Sequence, residues 1–475
     1  MRLRELSGIN SDSDVTGFAI DHRKVAPGSV FGAFKGAVFN GEDFIPEAVT
    51  RGAVAVVARP EATVDQVPHL ADVEPRRLFA SLAAKFFAPY PEVAVAVTGT
   101  NGKTSTVEMT RQMWRMGGHR SASIGTLGVT TSDDQVKTGL TTPDIVTFLS
   151  NVAGLKRMGI SHVAYEASSH GLDQHRAEGV PLAAAAFTNF SRDHLDYHLS
   201  MDTYFEAKMR LFDELLGPDG TAVVWTDDAK SDEVMARVRR RGSTLMTVGR
   251  TGETIQLIDQ VPTPLGQTVT ISHSGKSHSL ALPLIGAYQA ANVLVAAGLV
   301  MATGTAFDAA FAAMQRVSPV PGRLERAVIS RGGAPVYIDY AHTGDALEAA
   351  IAALRPHVEG RLIIVFGAGG DRDQGKRPEM GAVASRLSDV VIVTDDNPRG
   401  EDPATIRAEI LAGAPGATEI AGRREAIAEA IGMARAGALV LVAGKGHEQG
   451  QIIGAGANQR VLPFDDVVVA RECAA

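Results

Sequence analysis

The feature that most constrains the fold of this chain is a glycine loop between a short apolar strand and a helix. Residues 93–97 read VAVAV, residues 99–104 read GTNGKT, and a helical pattern runs from Ser105 to about Met116. Glycines let backbone N–H groups converge on an anion, and a helix N-terminus adds partial positive charge. The sequence therefore predicts a phosphate-binding loop made of Gly99, Thr100, Asn101, Gly102, Lys103, Thr104 and Ser105.

The loop departs from the general GxxxxGK[ST] pattern because Val97 stands where that pattern has glycine. A glycine turn that merely joins strand to helix is the alternative interpretation. The lysine and threonine at the start of the helix favour the phosphate loop. We expect Lys103 to reach the transferred phosphoryl group and Thr104 to ligate Mg²⁺.

Length and composition narrow the class of protein. A chain of 475 residues with 45% hydrophobic and 21% charged residues is typical of a soluble protein of two to four domains. A net charge of −8 argues against a nucleic-acid partner. Cys473 is the single cysteine, and the longest run without charged residues, 277–307, reads as a strand followed by a buried helix. The prediction is a cytoplasmic protein with no membrane partner.

Proline-rich joints divide the chain into three blocks, so we predict an α/β protein with domains at residues 1–88, 89–322 and 323–475. Prolines 89 and 91 mark the first joint, and SPVPG at residues 318–322 marks the second. Alternating strand and helix patterns predict a mostly parallel sheet in the central block and a doubly wound α/β fold in the last. The predicted strands outside the central block are 30–34, 53–58, 336–338, 362–365, 390–393 and 439–442.

A lysine occupies an apolar position in the helical segment 201–212. Its apolar stripe includes Tyr204 and Phe212, and Lys208 lies four residues from each. A buried lysine is costly unless it is paired or neutralised. The alternative is a lysine whose stem lies along the apolar face while its amine reaches solvent.

Two further segments carry groups suited to metal or phosphate binding. Glu166 follows a strand-like run at residues 163–165, where open α/β sheets place their ligands, and residues 188–198 read TNFSRDHLDYH. Individually, such histidines and aspartates are more often structural. Glu166 and His194, together with Thr104, would form a mixed ligand set for Mg²⁺.

Together these segments resemble the Mur ligase family nearly end to end. The resemblance rests on TGTNGKT at 98–104, TTP at 141–143, EASSHGLDQHR at 166–176, NFSRDHLDYH at 189–198, YFEAK at 204–208, PGR at 321–323, DYAH at 339–342, GDRD at 370–373, DNPR at 396–399 and GKGHE at 444–448. It implies an N-terminal UDP-binding domain, a central ATPase domain with the phosphate loop, and a C-terminal Rossmann-like domain that binds the amino acid.

The resemblance also implies the catalytic set and the nucleotide contacts. Lys103, Glu166, His194 and Lys208 match catalytic residues. The lysine matching Lys208 is carbamylated in the family and helps His194 hold a second ion, so ATP and two Mg²⁺ sites are expected. The residues matching nucleotide contacts beyond the loop are Asn292, Arg323, Asp339 and His342.

On the substrate side the match is less complete. Thr141, Thr142, Ser168, Gln174 and Arg176 match residues that hold the muramoyl-dipeptide. His22 stands where a serine usually contacts the uridine, Leu140 replaces a common asparagine, and the loop 37–39 lacks polar residues. Gly344 replaces the usual proline. The mode of uridine binding is therefore left open.

The implied reaction is ATP-dependent addition of meso-diaminopimelate to UDP-N-acetylmuramoyl-L-alanyl-D-glutamate through an acyl phosphate. Arg399 discriminates between amino acids, since a guanidinium grips the distal carboxylate that lysine lacks. The residues matching the diaminopimelate pocket are Arg372, Asp396, Asn397, Pro398, Arg399, Gly444 and Glu448. An Asx-Pro turn at residues 396–399 is also expected of the backbone and is compatible with binding.

Several alternatives remain at this point. One is the lysine-adding form of the same ligase, and another is the D-Ala-D-Ala-adding or folylpolyglutamate branch of the superfamily. A third is a P-loop protein that binds nucleotide without catalysis. The prediction adopted is a monomeric enzyme acting on small-molecule substrates.

Overall fold

The computed structural model describes residues 1–36, 39–136, 139–263 and 266–474. Ala37 and Val38, which belong to the predicted apolar loop 37–39, lie outside these ranges. Each of the three large sheets lies within one of the three predicted blocks, and the block boundaries themselves stay a prediction. None of the helices in the described ranges has the length and apolar character needed to cross a bilayer.

The N-terminal block forms a small parallel sheet in the order β1-β2-β3-β4. The strands are β1 Gly17–Ala19, β2 Ser29–Gly32, β3 Ala53–Ala58 and β4 His69–Ala71; the helices are α1 Leu3–Ser7, α2 Ile45–Thr50 and α3 Pro75–Phe87, with 3₁₀ turns at His22–Lys24 and Gly41–Phe44. The prediction for 53–58 is confirmed. The strand predicted at 30–34 ends early because Lys35 turns to pair with Asn40.

The central block contains an eleven-stranded sheet in the order β15-β14-β13-β12-β11-β10-β5-β9-β6-β7-β8. Its strands are β5 Val93–Thr98, β6 Ser121–Gly125, β7 Gly128–Thr130, β8 Gln135–Val136, β9 His162–Glu166, β10 Leu182–Phe187, β11 Leu216–Trp225, β12 Thr244–Gly249, β13 Ile255–Thr263, β14 Gly266–His273 and β15 Lys276–Leu282. The seven strands from β13 to β6 are parallel, which confirms the mostly parallel sheet. The antiparallel extensions at both edges were not predicted.

Helices cover both faces of this sheet. They are α4 Lys103–Met116, α5 Ile145–Arg157, α6 Ser169–Asp173, α7 Leu195–His198, α8 Met201–Arg210, α9 Ser231–Arg241, α10 Ala287–Ala302 and α11 Phe307–Met314, with a π-helical turn at Leu211–Leu215. Helix α10 is buried nearly all round and packs against α4. The predicted strand and buried helix within 277–307 are therefore confirmed as β15 and α10.

The position of β5 explains where the site forms. Strand β5 lies between β9 and β10, with Val97 level with Glu166 and Thr98 level with Phe187. Because the carboxyl ends of parallel strands meet at one edge of a sheet, the glycine loop, Glu166 and residues 188–198 emerge side by side.

The C-terminal block is a six-stranded sheet in the order β16-β17-β21-β18-β19-β20, parallel except for β16. Its elements are β16 Glu325–Ile329, β17 Pro335–Asp339, α12 Gly344–Leu354, β18 Leu362–Phe366, α13 Lys376–Leu387, β19 Val390–Val393, α14 Pro403–Gly413, β20 Thr418–Glu419, α15 Arg423–Met433, β21 Leu439–Ala443 and α16 Asp466–Ala474, with a hairpin of β22 Gly450–Ile453 and β23 Arg460–Pro463 and 3₁₀ turns at Arg355–His357 and Gly456–Asn458. Separate apolar cores on its two faces confirm the doubly wound fold.

Candidate active site

A cavity of about 310 Å³ lies between the central and C-terminal domains. The central domain supplies the glycine loop, and the C-terminal domain supplies the segment after β17 and the start of α12. Predicted site residues lining it are Thr100, Asn101, Gly102, Lys103, Thr104, Ser105, Thr141, Glu166, Ser168, His194, Lys208, Asn292, Arg323, Asp339 and His342. Residues that the sequence separates by more than 200 positions thus share one cavity.

The glycine loop has the backbone that its sequence requires. Gly99 and Gly102 have φ angles of 147° and 83°, a region that residues with a side chain rarely adopt. A Cβ at Gly99 would lie 1.9 Å from Oγ1 of Thr188, and one at Gly102 would lie 2.4 Å from Oδ1 of Asn292. Both glycines are therefore needed for conformation and for space.

Asn189, which the sequence analysis quoted only as part of a motif, holds the loop in place. Its backbone oxygen accepts from the Thr100 N–H at 2.9 Å, and its Oδ1 accepts from the Asn101 N–H at 2.8 Å. Its amide nitrogen donates to the Asn101 oxygen at 3.1 Å. The segment after β10 therefore fixes the loop that follows β5.

Two lysine amines converge on a single carbonyl at the base of the loop. Nζ of Lys103 donates to the Gly99 oxygen at 2.9 Å and to the Thr100 oxygen at 2.7 Å, and Nζ of Lys208 donates to the Gly99 oxygen at 2.7 Å. Lys208 is 1% exposed, and its amine lies 4.3 Å from the ring centroid of Tyr204. The prediction that Lys208 is buried is confirmed, and the alternative of an amine that reaches solvent is wrong.

Burial dominates the electrostatics of these lysines. In the described part of the chain, neither amine has a carboxylate within 4.0 Å. Burial lowers the pKa of Lys208 well below its usual value, and the charge of Lys103 lowers it further. Burial also lowers the pKa of Lys103, while Glu166 and Asp193 act in the opposite direction.

Glu166 ends β9 and faces the cavity, as predicted. Its Oε1 accepts from the Thr126 N–H at 2.7 Å, and its Oε2 accepts from Oγ1 of Thr126 at 3.2 Å. A carboxylate has about four acceptor positions, so each oxygen keeps the capacity for another partner.

His194 has a strained backbone and a mixed electrostatic environment. Its φ is 54°, a conformation that functional residues adopt more often than others. Burial lowers its pKa to about 3, although Asp193, whose Oδ2 lies 3.4 Å from Nε2, raises it. The ring of His170 lies 4.7 Å away, edge to face. The neutral ring that results is the form that ligates metals.

The predicted metal ligands share the cavity but do not form a metal cage by themselves. Thr104, Glu166, His194 and Lys208 all line it. Across the described ranges, no three His, Cys, Asp or Glu side chains are grouped closely enough to hold an ion. Any ion here would need additional ligands from a bound molecule or a modified side chain.

Arg323 connects the two sides of the cavity. One of its Nη atoms donates to Oγ1 of Thr104 at 3.1 Å, and its guanidinium lies 4.3 Å from the ring centroid of Tyr340. Asp339 accepts from the Leu324 N–H at 2.7 Å, and burial raises the pKa of that carboxyl to about 6. Burial lowers the pKa of His342 to about 4.

The residues predicted to hold the muramoyl-dipeptide form two linked groups beside Glu166. Oγ1 of Thr142 donates to the backbone oxygen of Glu166 at 2.9 Å and shares a 2.9 Å hydrogen bond with Oγ of Ser168. Gln174 donates to the Tyr197 hydroxyl at 2.9 Å and accepts from Arg176. Oγ1 of Thr141 lies 3.1 Å from Oγ1 of Thr126.

His22 and Leu140 do not line this cavity. His22 lies in the N-terminal domain, stacked on Phe44 with ring centroids 4.3 Å apart, and its Nε2 lies 3.3 Å from Glu47. Leu140 is 52% exposed. The structure therefore leaves the uridine prediction for His22 untested.

The predicted amino-acid residues form a second cluster on the C-terminal domain. Nδ2 of Asn397 donates to Oε2 of Glu448 at 2.7 Å, and Asp396 lies 3.8 Å from Arg423. Gly444 has a φ of 111°, and a Cβ there would lie 2.4 Å from Oδ2 of Asp396.

Arg399 has an unusual backbone and lies near this cluster. Its φ is 50°, its N–H donates to the Ile452 oxygen at 3.1 Å, and Nη1 donates to the Gly370 oxygen at 2.9 Å. Burial lowers its pKa and nearby Arg372 lowers it further, whereas Glu448 and Asp396 raise it. Arg372 itself is exposed.

The prediction of an Asx-Pro turn at residues 396–399 is wrong. The reversal closes later, with the Glu401 N–H donating to the Pro398 oxygen at 3.0 Å. The Asn397 side chain makes contacts distant in sequence instead of capping a local turn.

Tyr340, which the sequence alone did not single out, lies between the phosphate-loop cavity and the amino-acid cluster. Burial raises its pKa to about 12, and the charges of Glu448, Asp396 and Glu166 raise it further. The one sequence feature that could have identified Tyr340 is its position within the DYAH motif at residues 339–342.

Comparisons with known proteins agree with this arrangement. Residues 14–88 match the model of the Mur ligase family, catalytic domain, residues 97–300 match the Mur ligase middle domain, and residues 322–446 match the Mur ligase, glutamate ligase domain. A UDP-N-acetylmuramoyl-L-alanyl-D-glutamate--2,6-diaminopimelate ligase of Zymomonas mobilis is 59% identical over 98% of this chain and 96% of its own. The ligase of that name from Caulobacter vibrioides is 48% identical over 96% and 95%.

Solved structures give the same result. One, described as a structure of UDP-N-acetylmuramoyl-L-alanyl-D-glutamate--2,6-diaminopimelate ligase, has a TM-score of 0.72 and 31% identity, covering 100% of this chain and 98% of its own. The MurF ligase from Thermotoga maritima in complex with ADP has a TM-score of 0.63 at 20% identity, covering 90% and 93%. At that identity the second likeness concerns the fold alone.

Proposed function

The chain belongs to the Mur ligase family, and from that premise we propose that it joins meso-2,6-diaminopimelate to UDP-N-acetylmuramoyl-L-alanyl-D-glutamate with cleavage of ATP to ADP and phosphate. The product is the tripeptide precursor of peptidoglycan. The observation that carries the proposal is the pairing of a phosphate loop with a pocket containing Arg399 and Glu448, on either side of Arg323 and Tyr340.

The first step is phosphoryl transfer to the γ-carboxylate of the D-glutamyl residue. A carboxylate oxygen bonds to the γ-phosphorus, the bond from that phosphorus to the β–γ bridging oxygen breaks, and an acyl phosphate and ADP form. Two anions must approach each other, so positive charge at the reacting group lowers the barrier. The amine of Lys103 and the loop N–H groups supply it.

In the second step, the amine of diaminopimelate attacks the acyl carbon. The amide bond forms, phosphate leaves with the electrons of the C–O bond, and the amine loses a proton. Because water would hydrolyse an acyl phosphate, the contact between the domains from Arg323 to Thr104 serves to exclude water and to align the amine.

The residues fit a role for Mg²⁺. We assign the first ion to Thr104 and Glu166 and a second to His194 and carbamylated Lys208, because oxygen donors and one neutral imidazole suit a hard cation when phosphate supplies further ligands. When bound, Mg²⁺ neutralises charge on the phosphate oxygens.

The environment of Lys208 supports its carbamylation. A lysine amine must be neutral to take up CO₂, and burial together with the charge of Lys103 lowers the pKa of Lys208. Carbamylation converts the amine to an anion, which removes the repulsion between two amines that share the Gly99 carbonyl.

The positions of the side chains support the remaining assignments. Thr141, Thr142, Ser168, Gln174 and Arg176 hold the muramoyl-dipeptide next to Glu166. Asn292, Arg323, Asp339 and His342 contact the nucleotide. Arg372, Asp396, Asn397, Pro398, Arg399, Gly444 and Glu448 form the diaminopimelate pocket.

The test is ADP release by the purified protein with ATP, Mg²⁺ and UDP-muramoyl-dipeptide, comparing meso-diaminopimelate with L-lysine. We expect release to require both the dipeptide and diaminopimelate, with lysine giving at most a few per cent of the rate. Equal rates with lysine would favour the lysine-adding form. Release that is independent of either substrate would contradict the ligase.

A further inference from the structure

Lys445 is a fully buried charged side chain beside the diaminopimelate pocket, and the proposed reaction does not use it. It lies in the GKGHE motif between Gly444 and Glu448, and it is 0% exposed. Its Nζ donates to Oδ1 of Asn397 at 2.8 Å and to Oε2 of Glu448 at 3.3 Å, and it lies 4.0 Å from Oδ1 of Asp396. It therefore contacts three residues assigned to the pocket.

The contacts of Lys445 fix the orientation of the Asn397 amide. Oδ1 accepts from Nζ of Lys445 and, at 2.9 Å, from the N–H of Ile452. Both partners are donors, so this atom must be the oxygen, and its two lone pairs are used. Nδ2 must then be the group facing Glu448, with one N–H donated to it and the other without a partner among the described residues.

The same contacts fix Glu448. Its Oε2 accepts from both Asn397 and Lys445. Within the described ranges, no hydrogen bond or ion pair uses Oε1, and the side chain is 30% exposed. One carboxylate oxygen is thus held by the protein, and the carboxylate as a whole lies close enough to Arg399 to raise the pKa of its guanidinium.

Charges of both signs surround this point. Four cations (Lys445, Arg372, Arg399 and Arg423) are grouped with three carboxylates (Asp396, Glu448 and Asp466). A group without a negative excess suits the distal end of diaminopimelate, an ammonium and a carboxylate with no net charge. The distal end of lysine carries one positive charge and suits a pocket with a negative excess.

We propose that Lys445 is a positioning and specificity-determining residue: it holds Glu448 and Asn397 in the orientation that binds the distal ammonium and carboxylate, and it supplies a positive charge that keeps the pocket from having a negative excess. This inference rests on the proposed function. It adds that a fully buried residue, which does not touch the substrate, sets the preference for diaminopimelate over lysine.

The experiment measures kcat/KM for diaminopimelate and for lysine in the wild type, Lys445→Met and Lys445→Gln. We expect either substitution to lower kcat/KM for diaminopimelate by about 10- to 100-fold and to leave the KM for ATP within about twofold. The ratio of diaminopimelate to lysine kcat/KM should fall at least tenfold, because the pocket loses a positive charge that disfavours the cationic end of lysine. Lys445→Gln keeps a hydrogen-bond donor for Asn397 and serves if Lys445→Met folds poorly.

A double-mutant cycle with Glu448→Gln separates positioning from a general structural role. If Lys445 acts through Glu448, Lys445→Met should cost less than about threefold in the Glu448→Gln background. Arg407→Met is the matched control: it removes a cation that is 10% exposed and paired with Asp395 and Glu419 in the same domain, and it should leave the ratio unchanged.

An unchanged ratio in both Lys445 variants, or an equal cost in both Glu448 backgrounds, would overturn the inference. These outcomes presuppose that the wild type uses diaminopimelate. A wild type that releases no ADP with diaminopimelate would instead contradict the proposed function, so the two failures are distinguishable.

Discussion

The phosphate loop and the amino-acid pocket each contain a fully buried lysine, and their surroundings differ completely. The amine of Lys208 meets a carbonyl oxygen, an aromatic ring and the neighbouring amine of Lys103. The amine of Lys445 meets an amide oxygen and the carboxylate of Glu448. Among the described residues, neither amine of the first region has a carboxylate within 4.0 Å, whereas the buried amine of the second region is paired with carboxylates.

This difference matches the charge of what each region handles. A region that binds phosphate gains affinity and rate from a cation, here Lys103, that is not paired with a neighbouring carboxylate. A region that reads a zwitterion gains specificity by fixing the directions of single donors and acceptors, and surplus charge would reduce it. Burial alone therefore does not define the role of a lysine; the groups around its amine do.

The largest effect is expected at the phosphate loop. Lys103→Ala should lower kcat by about 10³- to 10⁵-fold, the range expected for a charge that acts on a transferring phosphoryl group. No other residue of the loop 99–105 carries a positive charge that could replace it. Steady-state ADP release measures it, with the exposed Lys276→Ala as control at wild-type rate. A loss below about tenfold would show that the unneutralised cation does not serve phosphoryl transfer.

The next effect concerns the pocket. Arg399→Ala removes one partner of a desolvated charge pair, which costs about 2–5 kcal/mol, or about 30- to several-thousand-fold in kcat/KM for diaminopimelate. The KM for ATP should change little, and lysine should not become a good substrate, because no site for its ammonium is created.

Arg399→Lys should restore only part of the activity, since one ammonium lacks the two-point grip of a guanidinium. The exposed Arg386→Ala is the matched control. If Arg399→Ala retains the wild-type kcat/KM, the pocket does not read the distal carboxylate.

A third prediction tests whether the lysine of the phosphate region acts as an anion. Lys208→Ala should lower kcat by about 10²-fold, and millimolar formate or acetate should restore part of it by replacing the carbamate. The Lys445→Met variant provides the comparison, because carboxylates should not rescue a residue that acts as a cation. If mass spectrometry of the active enzyme shows no added mass of CO₂ at Lys208, the proposed carbamate is contradicted.

The smallest effect is expected at the joint between the regions. The pKa of Asp339 is raised to about 6 by burial, so the folded state binds more protons than the unfolded state between about pH 4 and pH 6. Stability from this group is complete below about pH 4 and is lost as the pH rises to about 6. Relative to Asp339→Asn, the wild type should lose about 1–3 kcal/mol of unfolding free energy across that window.

Urea unfolding at several pH values between 4 and 7 measures this difference. The exposed Asp259→Asn should run parallel to the wild type throughout. A constant difference between wild type and Asp339→Asn would show that the joint carries no buried titrating carboxyl.

The sequence by itself determined the elements whose signals are local. Apolar runs and glycines defined β5, the loop and α4, and the apolar stripe singled out Lys208, although the sequence left a solvent-reaching amine open as the alternative. Each of these depends on residues within a few positions of one another, where hydrophobic periodicity and backbone sterics decide the outcome. The motifs also identified the family.

Only the tertiary structure decided how these elements meet. Lys208 reaches the Gly99 carbonyl across 109 residues, and the orientation of the Asn397 amide depends on Lys445 and Ile452, 48 and 55 residues away. The antiparallel edges of the central sheet and the later turn after Pro398 were missed for the same reason. Strand order and register set these contacts, and the free energy that selects them comes from burial summed over the whole sheet, which no local pattern encodes.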